Sequence, residues 1–215
     1  MKTIYLVRHA ESTTNVGDFV IGSTAPLTDK GRAQAHVLLE RVLKLPIEVI
    51  VHTSFARSIE TAEILNGRLK LPFVLCNLFS ERRHASHVKG LLKNDPVRLA
   101  YEEYFWGSQF NDPAYRHFDA ENFADLKERA GQAFSFLEEC SEENILVVGH
   151  GIFSRILLAY LIHGESLSSI VCQQVMCSTR LANCAITVFT HDQRKPTEYG
   201  GPWELAVWND RAHLG

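Results

Sequence analysis

The sequence is short of the features that would mark a nucleic-acid, membrane or disulfide-rich protein. Its 22 lysines and arginines are outnumbered by 25 acids, for a formal charge of −3. There is thus no basic footprint for a polynucleotide and no long run of one sign to bind a polyanion. Any anion site has to be local. No stretch is apolar for long enough to span a bilayer, and the opening MKTIYLVRH breaks its apolar run too early for a signal peptide or membrane anchor. The five cysteines, Cys76, Cys140, Cys172, Cys177 and Cys184, are odd in number and never form CxxC pairs. That pattern points to reduced thiols and a cytoplasmic setting rather than a disulfide framework or a zinc site. Internal repeats and low-complexity linkers are absent as well. What remains is the composition of an ordinary globular protein, 46% hydrophobic and 22% charged over 215 residues, enough for one domain with a sizeable core. Oligomeric state is not legible in it.

Pattern and punctuation then predict the elements. TIYLV is apolar at nearly every position, as expected of a strand covered on both faces. Thr28 stands where a helix N-cap belongs. Ala35, Leu38, Leu39 and Val42 follow at the spacing of a buried helical face, and Pro46 closes the segment. IEVIV predicts a strand, FARSIETAEILNGRL a helix and PFVLC a third strand. Residues from about 85 to 120 are less regular and predict a helical insert over the sheet. In it Tyr104, Phe105, Trp106, Phe110 and Tyr115 read as a satellite core, with a substrate lid as the other reading. Phe123, Leu126, Ala130, Phe134 and Leu137 mark an amphipathic helix, NILVVG a buried strand and IFSRILLAYLI a core helix. NCAITVFTH and WELAVWN alternate like a hairpin at a sheet edge. The class is α/β: a three-layer α/β/α sandwich with a mostly parallel sheet, an antiparallel edge, and a single domain over residues 1–215.

Ligands of such sheets bind beyond the carboxyl ends of the strands. Just past those predicted ends stand Arg8 and His9, then His52, Thr53, Ser54 and Arg57, then Glu81, then His150 within GHG. Alone, each has an ordinary explanation: a surface pair, a helix-surface cation, a salt-bridge partner for Arg82 or Arg83, a histidine in a tight turn. Together they suit a phosphate monoester. Guanidinium groups bind its oxygens bidentately, and helix N-termini add amide donors. One neutral imidazole can attack phosphorus, a second can stabilise the equatorial oxygens, and a carboxyl group can protonate the leaving alkoxide and later activate water.

Read together, LVRHAESTTN, TSFARSIETA and VVGHG resemble the signature segments of the histidine phosphatase superfamily, which includes cofactor-dependent phosphoglycerate mutases. PLTDKGRAQA and the closing WNDRAHL are also similar to family sequence, so the resemblance covers nearly the whole chain. It implies His9 as the phosphorylated nucleophile. Arg8, Arg57 and His150 would form the phosphate pocket, with Glu81 as proton donor and then base. Asn15 matches a phosphate-contacting asparagine, while Ser12, Gly22, Ser23 and Gly151 would line the site. The resemblance implies no metal and no organic cofactor, and a small phosphorylated substrate as the partner.

Two departures bear on the reading. Ala10 replaces the glycine of the family's RHG, which narrows the backbone conformations open to it. After Glu81 the chain reads ERRHASHVKG, placing Arg82, Arg83, His84 and Lys89 beside the proton donor. These four are open to two readings, contact with a second anionic group or a solvated loop. His84 and His87, three apart, have no carboxylate or cysteine at matching spacing to complete a metal site. The expected activity is a metal-independent phosphomonoesterase acting on a small metabolite. The alternatives are a mutase, a phosphoprotein phosphatase and a non-catalytic phosphate-binding module.

Overall fold

A computed structural model describes residues 1–19, 22–194 and 201–215, with the side chains of 104–106 and 108–111 outside that description. Its sheet has the order β3-β2-β4-β1-β5-β6. The strands are β1 (Lys2–Arg8), β2 (Val49–His52), β3 (Phe73–Leu75), β4 (Asn144–Gly149), β5 (Ile186–His191) and β6 (Trp203–Asp210). The first four run parallel and β5 and β6 are antiparallel to their neighbours, so the expected hairpin edge is present. The helices are α1 (Thr13–Val16), α2 (Asp29–Val42), α3 (Ala56–Leu69), α4 (Pro96–Asn111), α5 (Phe123–Glu139), α6 (Gly151–His163) and α7 (Ser169–Ser178). Among the described residues no helix is long and apolar enough to cross a membrane.

The nearly all-apolar strands follow from burial on both faces. In β1, Ile4 and Leu6 join one core with Phe134 and Leu137 of α5 and Ile156 of α6, while Tyr5 and Val7 join the other with Leu38 of α2 and Leu65 of α3. Helices therefore cover the sheet as two outer layers. Helix α2 begins as expected, with the Thr28 hydroxyl accepting from the Gly31 amide at 2.9 Å. Gly31 is required there, because a Cβ would lie 1.9 Å from the Glu11 carbonyl oxygen. Two helices lie outside the sequence reading, the short α1 and α7.

The insert holds a 3-10 turn, Ser86–Val88, and α4. Its small core consists of Ala85, Val88, Tyr101 and Ala120. Of the aromatic residues expected there, Tyr104, Phe105, Trp106 and Phe110 lie outside the described side chains. Tyr115 is half-buried, its hydroxyl 3.4 Å from His117 Nδ1.

Candidate active site

The strand register brings the two histidine segments together. Arg8 at the end of β1 pairs with Gly149 at the end of β4, so His9 and His150 leave the sheet side by side. The His9 amide donates to the Gly149 carbonyl at 3.0 Å, and the two imidazole centroids are 5.2 Å apart. On the other side of β4, His52 pairs with Val148 and delivers Thr53 and α3 to the same edge. Beyond this edge opens a cavity of about 890 Å³.

His9 is almost wholly buried, with 3% of its surface exposed. Its Nδ1 lies 2.7 Å from the Ala10 carbonyl, while Arg57 Nε donates to its Nε2 at 3.0 Å. A carbonyl only accepts and a guanidinium only donates, so the proton sits on Nδ1 and the lone pair on Nε2. Burial, then the charges of Arg57 and Arg8, hold this imidazole well below its ordinary range and keep it neutral. The Ala10 methyl is accommodated without strain. The residue is fully buried in one core, its φ is not positive, and it works through its backbone alone, the carbonyl on His9 and the amide on the Thr61 hydroxyl at 3.1 Å.

Arg57 also donates Nη1 to the Gly22 carbonyl at 3.0 Å and lies over the Phe55 ring at 4.7 Å. Burial pulls its guanidinium down to about 10, still cationic at neutral pH. Arg8 donates Nη1 to the Leu181 carbonyl at 2.6 Å and lines the cavity. Gly151 opens α6 beside it, and a Cβ there would stand 3.1 Å from Arg8 Nε. Glycine at that position gives the guanidinium room. His150 is fully buried beneath the cavity, its Nε2 2.9 Å from the Thr53 hydroxyl. Burial, then His9 and Arg57, hold it well below the ordinary imidazole range, so it too is neutral here. A protonated second imidazole therefore requires the negative charge of a bound phosphate.

Glu81 lines the cavity with its carboxylate on the first turn of α6, where the Ile152 and Phe153 amides donate to it at 3.1 and 3.0 Å. An unforeseen clamp holds the backbone on either side of it. Arg129 of α5 donates Nη1 to the Leu78 and Ser80 carbonyls at 2.9 and 2.8 Å, and binds Glu121 through Nε and Nη2 at 2.9 and 3.0 Å. Glu121 in turn accepts from the Arg83 amide at 2.6 Å. The Arg129 guanidinium also lies 3.7 Å from the Phe153 ring centroid.

The remaining expected residues divide. Asn15, Gly22, Ser23, Arg82, Arg83 and His84 line the cavity. Ser12 does not: it is fully buried as the N-cap of α1, with its hydroxyl and amide on Asn15 Oδ1. Arg82 lines the cavity but is paired with Glu102 at 2.8 Å. His84 is pulled down to about 2 by burial and then by Arg82, Arg98 and Lys89, so its 3.7 Å approach to Glu102 is no ion pair. Asn183, absent from the sequence reading, donates to the His9 carbonyl at 2.8 Å and to Asn15 Oδ1 at 3.3 Å. Arg155, whose Nη1 donates to the Met176 carbonyl at 2.7 Å, does have a signal: it is the lone charge in an otherwise apolar helix. Among the described residues no group of three or more His, Cys, Asp or Glu side chains is placed to hold a metal ion.

A profile described as "Histidine phosphatase superfamily (branch 1)" matches residues 4–210. The chain belongs to the histidine phosphatase superfamily. "Probable phosphoglycerate mutase GpmB" of Yersinia pestis is 30% identical over 223 aligned positions, covering 100% of this chain and 95% of that protein. Among solved structures, Bacillus stearothermophilus YhfR superposes with a TM-score of 0.82 at 27% identity, over 100% of both chains. The mycobacterial glucosyl-3-phosphoglycerate phosphatase superposes at 0.73 with 22% identity, over 98% of this chain and 100% of that one, a likeness of fold.

Proposed function

We propose that this superfamily member is a phosphomonoesterase that works through a phosphohistidine on His9, with residues 1–215 acting as one domain. The observation that carries the reading is the state of His9: a buried, neutral imidazole with its Nε2 lone pair toward the cleft arginine Arg57. On binding of a phosphomonoester, Arg8 and Arg57 take the non-bridging oxygens, and the Arg57 Nε–H turns from the lone pair to the phosphoryl group. Asn15, Gly22, Ser23 and the amide of Gly151 line the same end. Nε2 then attacks phosphorus while the P–O bond to the leaving group breaks, and the Glu81 carboxyl gives that alkoxide its proton. His150, charged by the bound phosphate, stabilises the equatorial oxygens. In the second half Glu81 takes a proton from water, the oxygen attacks phosphorus, the P–N bond breaks and inorganic phosphate leaves.

The substrate is a small phosphorylated molecule, since the acceptor atoms lie inside a cleft rather than on an open face. All five cysteines are free, in keeping with a reducing, cytoplasmic setting. The full-length likeness to a protein named as a mutase favours a second reading, in which the phosphoryl group returns to another hydroxyl. One assay set tests both. The protein should hydrolyse an aryl phosphate with chelator present, and with 3-phosphoglycerate it should release inorganic phosphate. Conversion to 2-phosphoglycerate without phosphate release would favour the mutase, and full activity of His9→Ala would remove the nucleophile assignment.

A further inference from the structure

The cavity carries far more positive charge than one phosphate needs. Among the described residues eight arginines and Lys89 line it against three glutamates, in a chain whose net charge is −3. Most of these cations are committed. Arg8 and Arg57 belong to the phosphate end, Arg82 and Arg98 reach Glu102 at 2.8 and 3.5 Å, and Arg129 holds Glu121. Arg155 donates to the Gly151, Met176 and Thr179 carbonyls, and Arg83 Nε to the Asp119 carbonyl. Lys89 and Arg180 differ from all of these. Both are exposed, both line the cavity, and neither side chain makes a hydrogen bond or ion pair among the described residues.

Their backbones are nevertheless held. The segment bearing Arg180 is tied to the end of β1 three times: Leu181 O to Arg8 Nη1 at 2.6 Å, Asn183 Nδ2 to His9 O at 2.8 Å, and the Cys184 amide to Arg8 O at 2.9 Å. Lys89 follows the 3-10 turn whose Val88 is buried with Ala85 and Tyr101, and whose Ser86 amide donates to Asp119 at 2.8 Å. The described part of the lining also offers little to an apolar leaving group. Among the described residues only Phe55, Ile152 and Leu181 bring apolar side chains to it, and Phe55 already has Arg57 over its ring at 4.7 Å and the His150 ring edge-on at 4.8 Å.

We propose that Lys89 and Arg180 form a subsite for a second anionic group, a carboxylate or a phosphate, and that the substrate is a small polar phosphomonoester bearing such a group. This rests on the phosphomonoesterase reading above and adds the substrate class to it. It moves the selective contact away from Arg82 and His84, which Glu102 and burial occupy.

Matched substrates test it: 3-phosphoglycerate against glycerol 1-phosphate for a carboxylate, and fructose 1,6-bisphosphate against fructose 6-phosphate for a phosphate. The wild type should favour the member with the second anion in at least one pair by about tenfold in kcat/KM, carried by KM. Lys89→Met and Arg180→Met should each collapse most of that ratio, and Lys89→Arg and Arg180→Lys should retain it. No preference in either pair overturns the subsite. So does an equal loss for both members, which would make these cations general attractors of phosphate. Failure of the wild type to hydrolyse any phosphomonoester would remove the underlying reading instead. The subsite is then decided by calorimetric titration of His9→Ala with the same pairs. Tighter binding of the second-anion member, lost on adding Lys89→Met, supports it, and equal binding contradicts it.

Discussion

The two ends of the cleft are built from different material. At the phosphate end, the two histidines and two arginines sit at a strand terminus or the start of a helix, and each is oriented by another protein group: His9 by the Ala10 carbonyl, Arg57 by Gly22, His150 by Thr53, Arg8 by Leu181. Along the rest of the lining most charged residues come from coil and the insert. There Arg82 and Arg98 are satisfied through Glu102, while Lys89 and Arg180 have no side-chain partner among the described residues. Rigid placement suits bond making, since a nucleophile held near its attack geometry spares the reaction that entropy. Unpaired surface cations suit selection. Substitutions at the first end should therefore act on kcat, and those at the second on KM.

The largest break is expected at His9. Its conversion to alanine removes the nucleophile and should cut kcat by about 10³-fold or more in steady-state hydrolysis of an aryl phosphate. Arg57→Lys comes next: it keeps a charge but loses the planar donor that reaches both His9 and Gly22, so kcat should fall about 10²-fold with little rescue relative to Arg57→Ala. Near-wild-type turnover in the lysine variant would show that charge alone serves this end.

Arg129 sharpens the comparison because it is remote from phosphate yet grips the backbone around Glu81. Arg129→Met should lower kcat about tenfold or more, and most for substrates with poor leaving groups, because a misplaced acid matters where protonation is needed. Breaking its nearly buried pair with Glu121 should also cost about 3 kcal/mol in chemical unfolding. Equal kcat losses across leaving groups of different pKa would mean that the clamp only stabilises the fold.

The smallest expected effect is on stability against pH. His9, His84 and His150 are held below the unfolded imidazole value of about 6.5, so the unfolded chain binds protons first as pH falls. Stability is whole above about pH 6.5 and declines below it, by up to about 1.4 kcal/mol per pH unit for each histidine. For His84 the window runs down to about 2. His84→Gln should flatten the fall of the thermal midpoint between neutral and mildly acidic pH. An unchanged slope would remove His84 from this balance.

Much of this was legible before the fold was seen, and the reason is physical. Parallel strands announce themselves as apolar runs, and their carboxyl ends share one sheet edge, so Arg8, His9, Arg57, Glu81 and His150 could be gathered from positions far apart in the chain. Thr28 and the α2 stripe follow from local rules of the same kind. Helix α7 escaped because SIVCQQVMCS mixes serine, cysteine and glutamine with its apolar residues and shows no clean period. Arg129, Asn183 and Arg180 escaped because their positions depend on long-range contacts that leave no periodic trace. Ser12 was expected on the cleft but caps α1 beneath it, since a motif does not say which of its polar atoms face the ligand and which face the backbone.

The central claim is covalent, and a rapid-quench experiment tests it most directly. The protein is mixed with a 32P-labelled phosphomonoester, quenched in alkali and digested, and the label is mapped by mass spectrometry. The account predicts one acid-labile phosphoryl group on His9, formed within the first turnover and missing from His9→Ala. Label on a different residue, or turnover at the wild-type rate with none on the protein, would contradict it.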